Sequence, residues 1–209
     1  MAKKVADQLV DTLEKAGVRR IYAVTGDSLN EVNEAVRKNG RLRWIHVRHE
    51  ETGAYAAAAE AQLTGELACC AGSSGPGHVH LINGLYDAQR SGAPVLAIAS
   101  TIPSREFGTE YFQETNTIKL FDDCSYYNQA TTPEQFPRML QGAMQAAVSS
   151  RGVGVIGLPG DLAAENATAG LSSTFSFPTR QRVCPAEQEI RELADLLNNA
   201  KKVTLYCGI

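Results

Sequence analysis

The sequence lacks a marked charge imbalance, an apolar run of membrane-spanning length, and cysteines at metal-ligand spacing. Twenty Lys and Arg stand against 23 Asp and Glu, a formal charge of −3, which gives no electrostatic basis for a nucleic-acid partner. No stretch approaches the roughly 20 apolar residues of a membrane helix. The N-terminal MAKKVADQL has no signal-peptide core. The five cysteines (Cys69, Cys70, Cys124, Cys184 and Cys207) are scattered and odd in number, as suits reduced thiols better than a disulfide framework. No Gly-Lys-Ser/Thr follows the glycine-rich loop at 72–77, which excludes a P-loop. Gly152-Val-Gly-Val-Ile-Gly157 spells a dinucleotide fingerprint, but its glycines lie inside a β-like run and Pro159 follows where a helix is required. These absences leave a soluble, cytoplasmic globular protein as the expectation.

What is present is alternation. With 44% hydrophobic and 21% charged residues, the chain can bury a sizeable core. Apolar, β-branched runs at 19–24, 43–47, 67–71, 95–99, 126–130 and 153–158 predict strands. Helical patterns at 3–16, from 28 onward, and at 50–64, up to about 91 and 133–149 separate them. Ser28 and Glu31 have capping-box spacing. The segment 100–124 reads as irregular. Strands joined by single helices predict an α/β fold: a doubly wound, mainly parallel sheet with helices on both faces. Ligands of such folds gather at the carboxyl ends of the strands.

Four segments fall at those ends: Thr25-Gly26-Asp27-Ser28, His49-Glu50-Glu51, the loop Gly72 to His78, and Tyr111-Phe112-Gln113-Glu114. Glu50 opens a helix, where the helix dipole alone favours a carboxylate. The small residues that follow it (Gly53, Ala54, Ala56, Ala57) would equally allow other backbone to enclose it in a dry cleft. The glycine loop reads either as a structural turn or as a place where backbone approaches a flat ligand. Four histidines without cysteine or acidic partners at ligand spacing give no metal signature. His46 reads as a strand residue, and His80 faces the edge of interest. Asp27 has no reading beyond a helix cap.

The stretch RHEETGAYAAAAEAQLTGELACCAGSSGPGHVHLINGLYDAQRSGAPVLAIAS, continued by YFQET and VIGLPGD, resembles the pyrimidine-binding domain of thiamine-diphosphate enzymes. TGDSLN, HLINGLYDA and YFQET are most similar to the pyruvate oxidase and quinone-linked pyruvate dehydrogenase branch. Acetohydroxyacid synthases and 2-oxoacid decarboxylases share the scaffold, and a non-catalytic regulatory module is a further alternative. The resemblance implies that Glu50 hydrogen-bonds ring nitrogen N1′ of the aminopyrimidine. It places Gly26 beside that glutamate, and Gly75, Pro76, Gly77 and Asn83 around the ring. His80, Phe112 and Gln113 would look into the reacting centre. It further implies thiamine diphosphate with Mg2+, FAD as electron acceptor, pyruvate as substrate and a homodimer or homotetramer. Peripheral membrane contact would belong to a full-length enzyme.

The family's Gly-Asp-Gly and downstream Asn-Asn, which hold diphosphate and metal, have no counterpart here, since Gly26-Asp27 and Gly160-Asp161 lack the third glycine. The expected organisation is a pyrimidine-binding domain at 1–165 and a linker at 166–185. The start of a central FAD-type domain follows at 186–209, with a helix at 186–199 and a strand at 202–207. On its own such a chain is expected to be half of a site.

Overall fold

The computed structural model describes residues 2–130, 132–168 and 184–207. The chain divides into two compact units, Met1–Phe177 and Pro178–Ile209. The first unit runs in the order α1 (Val5–Lys15), β1 (Arg20–Ala23), α2 (Asn30–Asn39), β2 (Arg43–His46), α3 (Glu50–Thr64) and β3 (Ala68–Gly72). It continues with α4 (Pro76–Val79), α5 (Ile82–Arg90), β4 (Val95–Thr101), α6 (Thr117–Phe121) and β5 (Tyr127–Ala130), then α7 (Phe136–Ser150), β6 (Val153–Pro159) and α8 (Gly160–Ala164). The six strands form one sheet in the order β2-β1-β3-β4-β6-β5, and every pairing is parallel.

Strand periodicity places alternate side chains on opposite faces, and both faces are covered. Ile21, Cys69, Leu96, Ile98 and Ile156 point into a core shared with α1, α2, α7 and α8. Cys70, Val95, Ala97, Val153 and Val155 point into a second core beneath α3, α5 and α6. A strand buried on both faces has no polar side, which is why β3, β4 and β6 read as continuous apolar runs. The fold is therefore the doubly wound α/β architecture that the alternation predicted.

The order of the strands fixes where a site can form. From β1 the chain steps outward to β2, then returns past β1 to β3. This reversal puts a crevice outside the carboxyl ends of β1 and β3, the usual ligand position in open α/β sheets. Gly26 follows β1, Glu50 opens the returning helix, and Gly72–Gly77 follows β3.

Several elements differ from the sequence reading. The predicted capping box does not form: a 3-10 turn at Asp27–Leu29 precedes α2, whose N-cap makes no side-chain bond. Glu31 instead pairs with Lys4 Nζ at 2.7 Å. The irregular stretch contains a 3-10 turn at Ser104–Glu106 and α6, which Asn116 caps by accepting from Lys119 N. At the start of the expected linker, Asn166 bridges Lys4 and Ala167 N donates to Lys3 O at 2.8 Å. Its span 169–183 lies outside the described residues.

In the second unit, α9 (Glu187–Asn199) matches the expected helix and exposes Ile190, Leu193 and Leu196. Residues 202–207, read as a strand, carry none, since a single strand has no neighbour to complete its ladder. Among the described residues, no helix is long and apolar enough to cross a membrane.

Candidate functional site

Glu50 sits at the first position of α3, with His49 as N-cap accepting from Glu51 N at 3.3 Å. The helix start favours an acid there, yet Glu50 is not a solvated dipole partner. Its side chain is only 11% exposed. His80 Nδ1 lies 3.0 Å from Glu50 Oε2. An ionised carboxylate only accepts, so Nδ1 carries the hydrogen and the other ring nitrogen is left for other contacts. His80 and His49 stack, with ring centroids 4.4 Å apart and planes at 25°.

Glycine shapes the space around that carboxylate. A Cβ placed on Gly77 would stand 3.3 Å from Glu50 Oε1, so the absence of a side chain keeps that side of the carboxylate clear. Gly75 has φ +65, and a Cβ there would lie 2.7 Å from the Cβ of Gln113. Both the backbone angle and the contact demand glycine. Gln113 itself has φ 68, a conformation that a non-glycine residue holds only where its surroundings impose it. Ser74 Oγ supplies part of that constraint by donating to Gln113 Oε1 at 3.1 Å.

A hydroxyl network that sequence reading missed joins the loops. Ser28 Oγ accepts from Ser74 N at 3.0 Å and lies 2.9 Å from Ser73 Oγ. Ser100 Oγ donates to Ser28 O at 2.8 Å. Gly26 packs so tightly that a Cβ would come within 2.3 Å of Ser73 Oγ. Ser28 thus staples the loop after β1 to the loop after β3. In sequence it resembled a helix cap, and nothing local distinguished the two roles.

The loop after β4 is anchored by His78. This fully buried ring lies 2.7 Å from Ser100 O through Nδ1 and 2.5 Å from Thr115 Oγ1 through Nε2. A carbonyl only accepts, so Nδ1–H donates to Ser100 and Nε2 accepts from the threonine. Burial pushes the His78 pKa below its ordinary 6.5. As pH falls below about 6.5, the unfolded chain takes up a proton that the folded chain refuses. Stability is therefore fully present above that value and is lost as pH drops toward the folded pKa. The melting temperature is expected to fall between about pH 7 and 5, and His78→Gln should flatten that slope. A slope unchanged in the variant would refute the assignment.

The structure accordingly brings together Gly26, Glu50, Gly75, Gly77, His80 and Gln113, which come from four separate segments. Pro76 is exposed at the first turn of α4. Asn83 Nδ2 donates to Glu51 Oε1 at 3.3 Å and so ties α5 to the start of α3. Phe112 is 79% exposed beside Gln113, a bare aromatic at the rim. Asp27 accepts from the neighbouring Ser28 N and caps nothing further along. His46 lies exposed on the edge strand β2.

The open carboxylate edge between two glycine-lined loops fits one side of a flat heteroaromatic ring. Residues 3–120 match the family described as thiamine pyrophosphate enzyme, N-terminal TPP binding domain. The chain belongs to this family. A protein of Pseudomonas amyloderamosa described as an uncharacterized 42.6 kDa protein in the isoamylase 3′ region is 54% identical across 98% of this chain. The pyruvate oxidase of Lactiplantibacillus plantarum is 36% identical across 96%, and the chloroplastic acetolactate synthase of Arabidopsis thaliana 30% across 99%. The chain spans only 52%, 34% and 32% of the lengths of these three relatives.

Proposed function

We propose that this chain is the cofactor-activating half of a thiamine-diphosphate enzyme that oxidatively decarboxylates pyruvate, with electrons passing to FAD and on to a quinone. The observation that carries the reading is the buried Glu50 carboxylate, kept open on one side by Gly77 and held on the other by His80. When bound, thiamine diphosphate supplies the carbanion chemistry that a 2-oxoacid needs to lose carbon dioxide. The chain's own share is smaller and specific. Glu50 holds a proton at ring nitrogen N1′, Gly75 to Gly77 give the ring a close wall, and Gln113 with Phe112 borders the substrate side. His80 orients the carboxylate.

The pyruvate-oxidising reading draws support from the 36% identity to pyruvate oxidase, against 30–31% for the acetolactate synthases. A synthase on the same scaffold is the second reading, since those proteins match nearly the whole chain. Mg2+, FAD and the diphosphate cradle fall to the remainder of a longer protein, of which residues 1–165 would be the pyrimidine-binding domain and 186–209 the beginning of the next.

The chain alone is expected to bind thiamine diphosphate weakly. A few neutral hydrogen bonds contribute about 0.5–1.5 kcal/mol each, against an association cost of at least about 4 kcal/mol. That balance leaves a dissociation constant on the order of millimolar. Isothermal titration with cofactor and Mg2+ checks it, and micromolar binding would place the diphosphate site within this chain, against the proposal. The same edge carries Tyr111 and Phe112 exposed, and such apolar surface tends to find a partner. We expect a second copy to cover it, as a homodimer or within a homotetramer. Sedimentation at rising concentration should show association, and a strict monomer would count against that part of the reading.

A further inference from the structure

We propose that His49, Glu50 and His80 form a binding site for one transition-metal dication of the Zn2+ or Co2+ class. The inference stands on side-chain geometry and does not depend on the cofactor reading. Each of the three offers a ligand atom, and these atoms lie within 4.8 Å of one another. Two imidazoles and one carboxylate are a borderline-soft donor set, suited to zinc, cobalt, nickel or copper and not to magnesium, which prefers an all-oxygen shell.

The central pair is already spaced for chelation. His80 Nδ1 and Glu50 Oε2 are 3.0 Å apart. Two donors about 2.0–2.2 Å from one ion and separated by that distance enclose roughly a right angle at the metal, within the range that such ions adopt. The hydrogen now shared between them is the proton a metal would displace. The third ligand needs one movement. His49 is stacked on His80 at 25°, and two nearly parallel rings cannot both direct a lone pair at a common ion. Its side chain is 48% exposed and its bond to Glu51 N is a long 3.3 Å. The torsion that turns an imidazole has a broad, shallow profile. Rotation out of the stack delivers a ring nitrogen to the Glu50–His80 pair while the backbone of the helix start stays in place. Solvent fills the remaining positions, as at open metal sites.

One carboxylate oxygen committed to a dication is not available to accept or share a proton with a ring nitrogen. Metal at this site and a pyrimidine against Glu50 therefore exclude each other.

The test uses the 209-residue chain freed of metal, with the exposed Cys184 and Cys207 replaced by serine to remove competing thiols. Titration with Co2+, followed by visible absorption, is expected to saturate at one ion per chain with the intensity of a four- or five-coordinate centre. His80→Ala, Glu50→Gln and His49→Ala should each weaken uptake by about tenfold or more, with far-UV circular dichroism unchanged. His46→Ala should bind as the parent does, and a large excess of Mg2+ should displace nothing. No cobalt band at one equivalent would overturn the proposal, and so would parent-like affinity in any of the three ligand variants.

Discussion

Gly154→Ala is expected to lower the melting temperature of the chain by roughly 6–12 °C. The glycine sits in β6, between β4 and β5, and α7 crosses directly above it. A Cβ there would lie 2.2 Å from the carbonyl oxygen of Ala143 and 2.9 Å from its carbon. Both atoms are backbone, so no rotamer change relieves the overlap, and the helix must lift from a sheet that is buried on both faces. Overpacking of this kind costs typically about 1–3 kcal/mol, occasionally more. This contact belongs at the upper end, and each kcal/mol is worth about 2–4 °C in a domain of this size. Adding Ala143→Gly leaves the carbonyl where it was, so the double variant should not recover. Thermal unfolding by circular dichroism reads the result. A melting temperature within about 2 °C of the parent would show that α7 can yield.

The same glycine explains why the sequence carries a dinucleotide fingerprint without the structure to use one. Gly152 and Gly154 are small because Tyr126, Gln89 and Ala143 press on β6, and the spacing that results has nothing to do with phosphate. Pro159 and the β-like context were enough to discount the motif. Much of the fold was equally legible, because burial on both faces leaves β3, β6 and the first five residues of β4 without a polar position, and a parallel sheet of such strands requires helices on each side. Helix α3 was readable to the residue, since Glu50 and Gly65 mark its ends with an acid and a left-handed C-cap. Element edges governed by tertiary contact were not. α8 is five residues long, too short for a period to show, and the capping box at Ser28 failed because the hydroxyl had a better partner 46 residues away in Ser74 N.

The site was legible as a set of segments and not as a set of contacts. Gly26, Glu50 and the Gly75–Gly77 turn could be placed on one edge because each follows a strand. That Gln113 would fold back onto Gly75 could not be read from spacing, as the return depends on left-handed backbone at Glu110 and Gln113 and on the His78 anchor to Thr115. The His49–Glu50–His80 cluster was invisible for the same reason. His80 is 30 residues from its carboxylate partner, so a search for ligand spacing along the chain finds no acid near it. His78 and His80, two residues apart, take opposite parts: one ring is sealed under the loops, the other is 43% exposed at the mouth of the site. A short helical turn between them rotates the side chains to different sides.

The proton that Glu50 is proposed to govern on the aminopyrimidine can be isolated by a single substitution. Glutamine keeps the shape of the side chain and can still accept the hydrogen bond from His80 Nδ1, so the helix start and both loops should hold. Its amide can donate to an unprotonated ring nitrogen, which preserves binding. It cannot give up or take back a proton there, so the acid–base role proposed for Glu50 is lost. Removing one positioned acid–base group lowers a rate by about 10²–10⁴-fold. The measurement is hydrogen–deuterium exchange at cofactor C2, followed by NMR in the longer protein proposed above to carry the diphosphate-binding part. Glu50→Gln is predicted to slow exchange at least about a hundredfold with the melting temperature and cofactor occupancy near those of the parent. Exchange at the parent rate in a fully occupied variant would contradict the account.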